Sequence, residues 1–351
     1  MAVEKVLVFQ TAFIGDVILT TPMIQVLRRE KKDFLIDVVA VPAGAGILAN
    51  HPDIQHAIVY DKKGKDRGLL SALRLIQTLR RFRYDVAIIP HRSLRSGLIC
   101  FLAGIPRRIG FSTSAAKLLM TDVVEYRPDR HEVERNLSLL QPLQISFSQK
   151  ELPRVFPSTS DHEVVDALLR NHPDVSPANL IALAPGSEWV TKRWLAEGYI
   201  DLAKRILEEQ FSVVLIGGNN DFVLCREIES AVGNSRVLNA AGELSLLQSA
   251  ELIRRCKLIV SNDSAPMHIG VAMRTPVVAI FGATVPEFGF APLGERDVVV
   301  QTLGLPCRPC SIHGGNACPI KTFVCMRDIS SDRVLEQVHS ILSTMNAEVS
   351  S

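Results

Sequence analysis

The chain has 351 residues, of which 47% are hydrophobic and 22% charged, with a formal net charge of +2. That length suits two domains of ordinary size, and no apolar run approaches the roughly 20 residues that span a bilayer. Seven cysteines, behind an N-terminus without the basic start and apolar middle of an export signal, argue against a disulfide framework and for a cytoplasmic protein.

The small net charge conceals an asymmetry. Residues 1–157 hold 23 Lys and Arg against 15 Asp and Glu, a balance of +8, so residues 158–351 carry −6. A basic first half attracts an anionic partner or an anionic membrane surface, or is simply a solvated face rich in lysine and arginine. A nucleic-acid partner is not expected.

Apolar β-rich runs alternate with helix-period segments along most of the chain. VLVFQ, IDVVAVP, HAIVYD, DVAIIPH and RRIGF read as strands. Between them MIQVLRRE, GAGILANHP, LLSALRLIQTLRRFR and SLRSGLICFLAGI read as helices, and HEVERNLSLLQPL adds another. ELPRVFPSTS, with its Pro and Ser, suits a linker. The pattern then restarts with helix DHEVVDALLRNH and strands LIALAPG, SVVLIGG, RVLNAAG, LIVSND and VVAIFG, again separated by helices, and closes on helix SDRVLEQVHSILSTM. Such alternation predicts parallel sheets with crossover helices on both faces. We expect two Rossmann-like, doubly wound α/β domains, 1–157 and 158–351, facing a central cleft, with the closing helix able to pack back on the first.

Ligands of such sheets lie outside the carboxyl ends of the strands. The first turn, FIGDVILTTP, has Gly15 and Asp16 where a dinucleotide site would place G-x-G-x-x-G. A fixed carboxylate repels phosphate, so this turn suits another task. Asp16 reads either as a helix N-cap or, if the regular helix begins at Thr21-Pro22, as a loop carboxylate able to act as general base. Arg92 and Arg95 follow strand DVAIIP and suit carboxylates or phosphates.

In the second half the corresponding turns are PGSEWVTKRW, GGNND and SNDSAPMHIG. Asn262, Asp263 and Ser264 stand before a helix, where they either cap its amides or leave them to a phosphate. Lys192 and Arg193 lie at a neighbouring turn and His268 one turn into that helix, a set able to bind a diphosphate without metal. Trp189, Trp194 and Tyr199 read as packing residues, with contact to a base or sugar as the alternative for Trp189.

A cluster, C307-x2-C310-x7-C318-x6-C325, closes the list of motifs. Cys307, Cys310, Cys318 and Cys325 suit a structural zinc, an iron–sulfur cluster, reduced structural thiols or local redox chemistry. Cys100, Cys225 and Cys256 read as core. The chain contains no D-x-D, no G-x-x-x-x-G-K-[ST], no G-x-S-x-G and no H-E-x-x-H.

Taken in order, FIGDVILTTPMIQVLRR, PGSEWVTKRW, SNDSAPMHIGVAMRTPVVAIFGAT and CRPC…CP…CMRDI resemble glycosyltransferase family 9 over nearly the whole chain, and HEVERNLSLL and PRRIGF fit it too. The resemblance implies a GT-B fold, with an acceptor-binding domain followed by a sugar-nucleotide domain. It implies inverting, metal-independent transfer of L-glycero-D-manno-heptose from ADP-heptose to a Kdo–lipid A-based inner core of lipopolysaccharide, as the second heptose. Asp16 would be the general base. Lys192, assisted by Ser187, would hold the donor diphosphate. Asp263 would orient the donor sugar, the amides from Ser264 and Ala265 to His268 would meet phosphate, and Asp221 would meet the adenosine ribose. Arg92 and Arg95 would receive acidic groups of the acceptor. No cofactor is required on this reading, and the enzyme would sit peripherally on the cytoplasmic face of the inner membrane. Three other readings remain: a sister heptosyltransferase with another inner-core acceptor, a thiol or iron–sulfur redox protein, and a non-catalytic nucleotide-sugar binding protein.

Overall fold

Short runs rich in Val, Ile, Leu and Ala are buried on both faces, the mark of parallel strands covered by helices on either side. The computed structural model describes residues 4–148 and 151–349. Its contacts divide the chain into two units, Met1–Phe156 and Pro157–Ser351.

The first unit runs β1 (Lys5–Phe9), α1 (Ile14–Ile18), α2 (Thr21–Glu30), β2 (Leu35–Ala40), α3 (Pro42–Ile47), β3 (His56–Val59), α4 (Leu69–Phe82), β4 (Val86–Ile89), α5 (Leu94–Leu102), β5 (Arg107–Phe111), β6 (Asp122–Val124) and α6 (Glu132–Ser138). Its sheet has the order β3-β2-β1-β4-β5-β6, every pair parallel. The chain therefore reverses its winding between β1 and β4, and a crevice opens at their carboxyl ends. Leu7 and Phe9 of β1 pack with Leu75, Ile76 and Leu79 of α4 and Ile99 and Cys100 of α5 in one buried cluster.

The second unit runs α7 (Thr159–Arg170), β7 (Leu180–Ala184), α8 (Ala196–Glu208), β8 (Ser212–Leu215), α9 (Phe222–Val232), β9 (Val237–Asn239), α10 (Leu246–Arg254), β10 (Leu258–Asn262), α11 (Ala265–Ala272), β11 (Val277–Phe281), β12 (Val298–Gln301), α12 (Val324–Arg327) and α13 (Ser331–Val349). The sheet order is β12-β11-β10-β7-β8-β9, again parallel throughout. Renumbered from its own first strand, this is the order of the first unit, and its reversal falls between β7 and β10. Trp194, Tyr199, Ile206, Met326, Val334 and Val338 share one core cluster with the strands. The closing helix α13 packs on α8, β11 and β12 of its own unit.

Four elements were not foreseen: α1, β6, β12 and α12. All are three to five residues long, too short for a periodicity to declare itself. The linker segment reaches α7 through Ser158, whose hydroxyl accepts from the Asp161 amide while the Asp161 carboxylate accepts from the Ser158 amide. Among the described residues no helix is long and apolar enough to cross a membrane.

Candidate active site

In the second unit, the turn after β7 is built as a rigid cradle. Asn262, fully buried at the end of β10, donates through Nδ2 to the Pro185 carbonyl at 2.8 Å. Its Oδ1 accepts from the Trp194 amide at 2.9 Å and the Tyr199 hydroxyl at 3.2 Å. Arg193 does not face a ligand: Nε and Nη2 both donate to the Ser187 carbonyl, at 2.9 and 2.7 Å, and so brace the loop. That leaves Lys192 as the cation of this turn. Its Nζ lies 2.6 Å from Asp263 Oδ2, both side chains largely buried, and the same oxygen accepts from the Thr284 hydroxyl at 2.7 Å. A buried ammonium and carboxylate need such partners, since an unpaired charge here would cost several kcal/mol.

The N-D-S sequence does not cap α11. Asn262 and Asp263 are engaged as above, and the Ser264 hydroxyl turns back to the Asn262 carbonyl at 3.3 Å and makes no capping bond. The capping alternative therefore fails: Asn262 and Asp263 have tertiary partners that capping would forfeit, and the Ser264 hydroxyl is taken by a local carbonyl. The amide end of α11, with Ser264 and Ala265 at its start and the buried His268 one turn in, is left without a side-chain cap. Asp221 accepts from the Gly218 amide at 3.0 Å and lies against Gly186, where an added Cβ would stand 2.2 Å from its Oδ1. Glycine at 186 thus lets Asp221 reach the Ser187 turn.

In the first unit Asp16 is not in a loop. Pro22 lacks an amide and its ring opposes a continuous helix, so the chain makes the short α1, breaks, and restarts at α2. Thr20 and Thr21 hydroxyls take the carbonyls of Asp16 and Ile18, at 2.7 and 2.8 Å. Asp16 stands in the first turn of α1, and its Oδ2 accepts from the Phe13 amide at 3.1 Å. The capping alternative is thus realised in part, at the third helical residue rather than before the first.

Cations gather around this turn. The Arg92 guanidinium lies 4.6 Å from the Tyr126 ring centre and Arg135 4.9 Å from the same ring. Lys62 donates to the Thr11 hydroxyl at 3.3 Å, Lys63 stands 5.2 Å from the Phe13 ring, and His91 Nδ1 is 3.3 Å from Thr11 Oγ1. Burial, with Lys63 and Arg95 adding, holds the Lys62 ammonium below its usual range. Burial, then Lys62 and Arg92, pushes His91 down to about 4, so it is neutral at pH 7. Helix α6 closes the far side. Asn136 donates to the Leu19 carbonyl at 3.1 Å, and Glu132, one turn earlier on the same face, pairs with Arg135 at 2.9 Å. Burial pushes the Glu132 carboxyl up to about 7; the Arg135 bond opposes this and the Asp16 charge adds to it.

The sequence singles out Asp16, Lys192, Asp221 and Asp263; the structure sets Thr284 beside Asp263, and Lys62, Lys63, Glu132 and Arg135 around the Asp16 turn. Two signals were available. Thr284 follows β11, and Lys62-Lys63 follow β3, both at carboxyl ends beside strands already marked. Cys307, Cys310 and Cys318 are half-buried, Cys325 is buried, and all are free thiols. Among the described residues no three His, Cys, Asp or Glu side chains converge to hold a metal ion. Cys100, Cys225 and Cys256 are buried core residues, as expected.

Comparison with known proteins gives the family. The profile of Glycosyltransferase family 9 (heptosyltransferase) matches residues 72–317. Lipopolysaccharide heptosyltransferase 2 of Salmonella typhimurium is 30% identical over 348 residues, covering 97% of this chain and 99% of that one. Among solved structures, that of E. coli ADP-heptose lps heptosyltransferase II aligns with a TM-score of 0.79 at 27% identity, over 97% of this chain and 99% of that one. The fold also matches a family 9 glycosyl transferase from Veillonella parvula, with a TM-score of 0.88 at 22% identity and 98% coverage of each. Two parallel sheets of like order, a shared full-length alignment and the family profile lead to one conclusion: the chain belongs to glycosyltransferase family 9, the heptosyltransferases.

Proposed function

We propose that the protein transfers a heptose from ADP-heptose to the inner core of lipopolysaccharide, as the second heptose, with inversion and without a metal ion. The observation that carries this is the Lys192–Asp263 pair at the β7/β10 reversal, beside the side-chain-free amide end of α11. A diphosphate there meets an ammonium and a positive helix end, which together stabilise the departing ADP. Asp263 orients the donor sugar and Asp221 the ribose. The second-heptose assignment draws on the heptosyltransferase 2 relatives.

Asp16 takes the proton of the acceptor hydroxyl as that oxygen attacks the anomeric carbon, and the bond to the diphosphate breaks on the opposite face, inverting the centre. Because the phosphates belong to the second unit, the first turn of the first unit can carry a carboxylate. Arg92 and Arg95, joined by Lys62 and Lys63, suit the phosphate and carboxylate groups of a Kdo–lipid A-based acceptor. A first half of charge +8 also favours peripheral docking on an anionic inner-membrane face.

The test is ADP release from ADP-heptose in EDTA, with heptosyl-Kdo₂-lipid A, with the unheptosylated acceptor, and with neither. Release that requires the heptosylated acceptor, persists in EDTA and vanishes in Asp16→Ala is expected. Release only with the unheptosylated acceptor would move the assignment to the first-heptose transferase, and loss in EDTA would overturn the metal-free mechanism.

A further inference from the structure

The segment from Cys307 to Gly315 is fastened at two points to the donor-site pair. On the Asp263 side the Cys310 amide donates to the Ala283 carbonyl at 2.9 Å, and Arg308 Nη2 donates to the Thr284 carbonyl at 2.8 Å. Arg308 also bonds Gln301 Oε1 at 3.0 Å and the Thr302 carbonyl, which ties the end of β12 to the same spot. Thr284 in turn donates its hydroxyl to Asp263 Oδ2. On the Lys192 side the Gly315 amide donates to the hydroxyl of the buried Thr191 at 2.8 Å, and the Thr191 amide donates to the Gly315 carbonyl at 3.0 Å. One short segment therefore grips the residue before Lys192 and the residue that bonds Asp263.

We propose that residues 307–315 form a frame that sets the Lys192–Asp263 geometry, with Thr284 and Arg308 as positioning residues for donor binding. The physical reason lies in how Asp263 Oδ2 is shared. Two donors on one carboxylate oxygen divide its lone pairs, so the Thr284 hydroxyl both fixes the carboxylate plane and limits its hold on the ammonium. Lys192 keeps N–H groups for the diphosphate, and the carboxylate does not turn to follow it. Without the hydroxyl, the Asp263 carboxylate is free to turn, and Lys192 loses the fixed acceptor that holds its Nζ at 2.6 Å. Partners behind a first ligand commonly alter affinity by about 10–100-fold, and small misplacements of a reacting group act on the same scale.

This inference rests on the donor-site reading above, and the experiment separates the two. ADP affinity is measured by calorimetry, and kcat and donor KM by ADP release, in wild type, Thr284→Val, Thr284→Ser and Arg308→Gln. Thr284→Val is expected to weaken ADP binding and raise donor KM by about tenfold, with a smaller fall in kcat. Thr284→Ser, which keeps the hydroxyl, should hold both to within about threefold of wild type, whereas a packing role would spare the near-isosteric Val and impair Ser, which lacks the methyl. Arg308→Gln should move ADP affinity in the same direction as Thr284→Val. If Thr284→Val does not fold, Thr191→Val tests the opposite anchor with the same readout. Wild-type ADP affinity and KM in Thr284→Val, or equal losses in Val and Ser, would overturn the frame alone. Folded wild-type protein that binds ADP but releases none from ADP-heptose would overturn the transferase reading, leaving the ADP arm to decide the frame. A wild type that does not bind ADP would overturn both.

Discussion

The two units share one strand order and one point of reversal, yet they treat their carboxylates in opposite ways. In the second, Asp263 leaves β10 and is held at once by Lys192 and Thr284, so its charge is balanced inside the unit. In the first, Asp16 follows β1 on the opening turn of a five-residue helix, bonded to a backbone amide, with cations standing around Tyr126, Thr11 and Phe13. The difference teaches that the doubly wound sheet supplies only a place. What the place does is decided by which few side chains the turns carry. A balanced carboxylate–ammonium pair is suited to meet a diphosphate, and a carboxylate held by a backbone amide on the opening turn of a helix is suited to take a proton.

The largest test of this contrast is a pair of substitutions. Asp16→Asn should lower kcat by about 10²–10⁴-fold while ADP binding, measured by calorimetry, stays at the wild-type level. Lys192→Ala should cost about 10²–10³-fold in kcat and weaken ADP binding as well. Equal effects of both variants on ADP affinity would dissolve the division of labour.

Acid titration separates the units further. Burial pushes His51 of the first unit down to about 4, and its ring packs edge-on against Phe156 at 4.8 Å. A histidine with a depressed folded value contributes stability that is present above its unfolded value near 6.5 and is lost as pH falls from there to about 4. The contribution is on the order of 2–3 kcal/mol. Glu132 acts in the opposite sense: its raised value makes the native state bind more protons, so its ionisation costs stability as pH rises from about 4.5 through 7. His51→Phe should therefore flatten the acid limb of the first unit's melting midpoint between pH 6.5 and 4. The second unit's midpoint, followed by Trp194 fluorescence, should be unaffected. An unchanged acid limb would remove His51 from the account.

The smallest effect is expected at Gly186. Alanine there would push the Asp221 carboxylate off the Ser187 turn, breaking its bond to the Gly218 amide. About a tenfold loss of ADP affinity is expected, with stability nearly unchanged because the displaced group is a half-exposed side-chain tip. Wild-type affinity in Gly186→Ala would place Asp221 outside the donor site.

Much of this was legible before the coordinates. Parallel strands buried on both faces announce themselves as apolar runs, and the amphipathic helices between them carry their own period. Asp16, Lys192 and Asp263 stood out because charged residues at the ends of apolar strands have few structural reasons to be there. Where local reading failed, the cause was a distant partner. Arg193 looks like a second ligand cation until its bonds to the Ser187 carbonyl are seen. N-D-S looks like a cap until Asn262 is found holding Pro185, Trp194 and Tyr199.

The sequence by itself determined the alternation of strand and helix, the start of a helix at Thr21-Pro22, and the placing of polar turns after apolar strands. These follow from interactions between residues close in the chain. Tertiary structure alone decided that Lys192 meets Asp263, that Thr284 shares the same oxygen, that α6 brings Glu132 toward Asp16, and that the C-R-P-C segment grips both sides of the donor pair. Those pairings join residues far apart in the chain, and a hydrogen bond's donor and acceptor are chosen by geometry across the sheet, which no local pattern records.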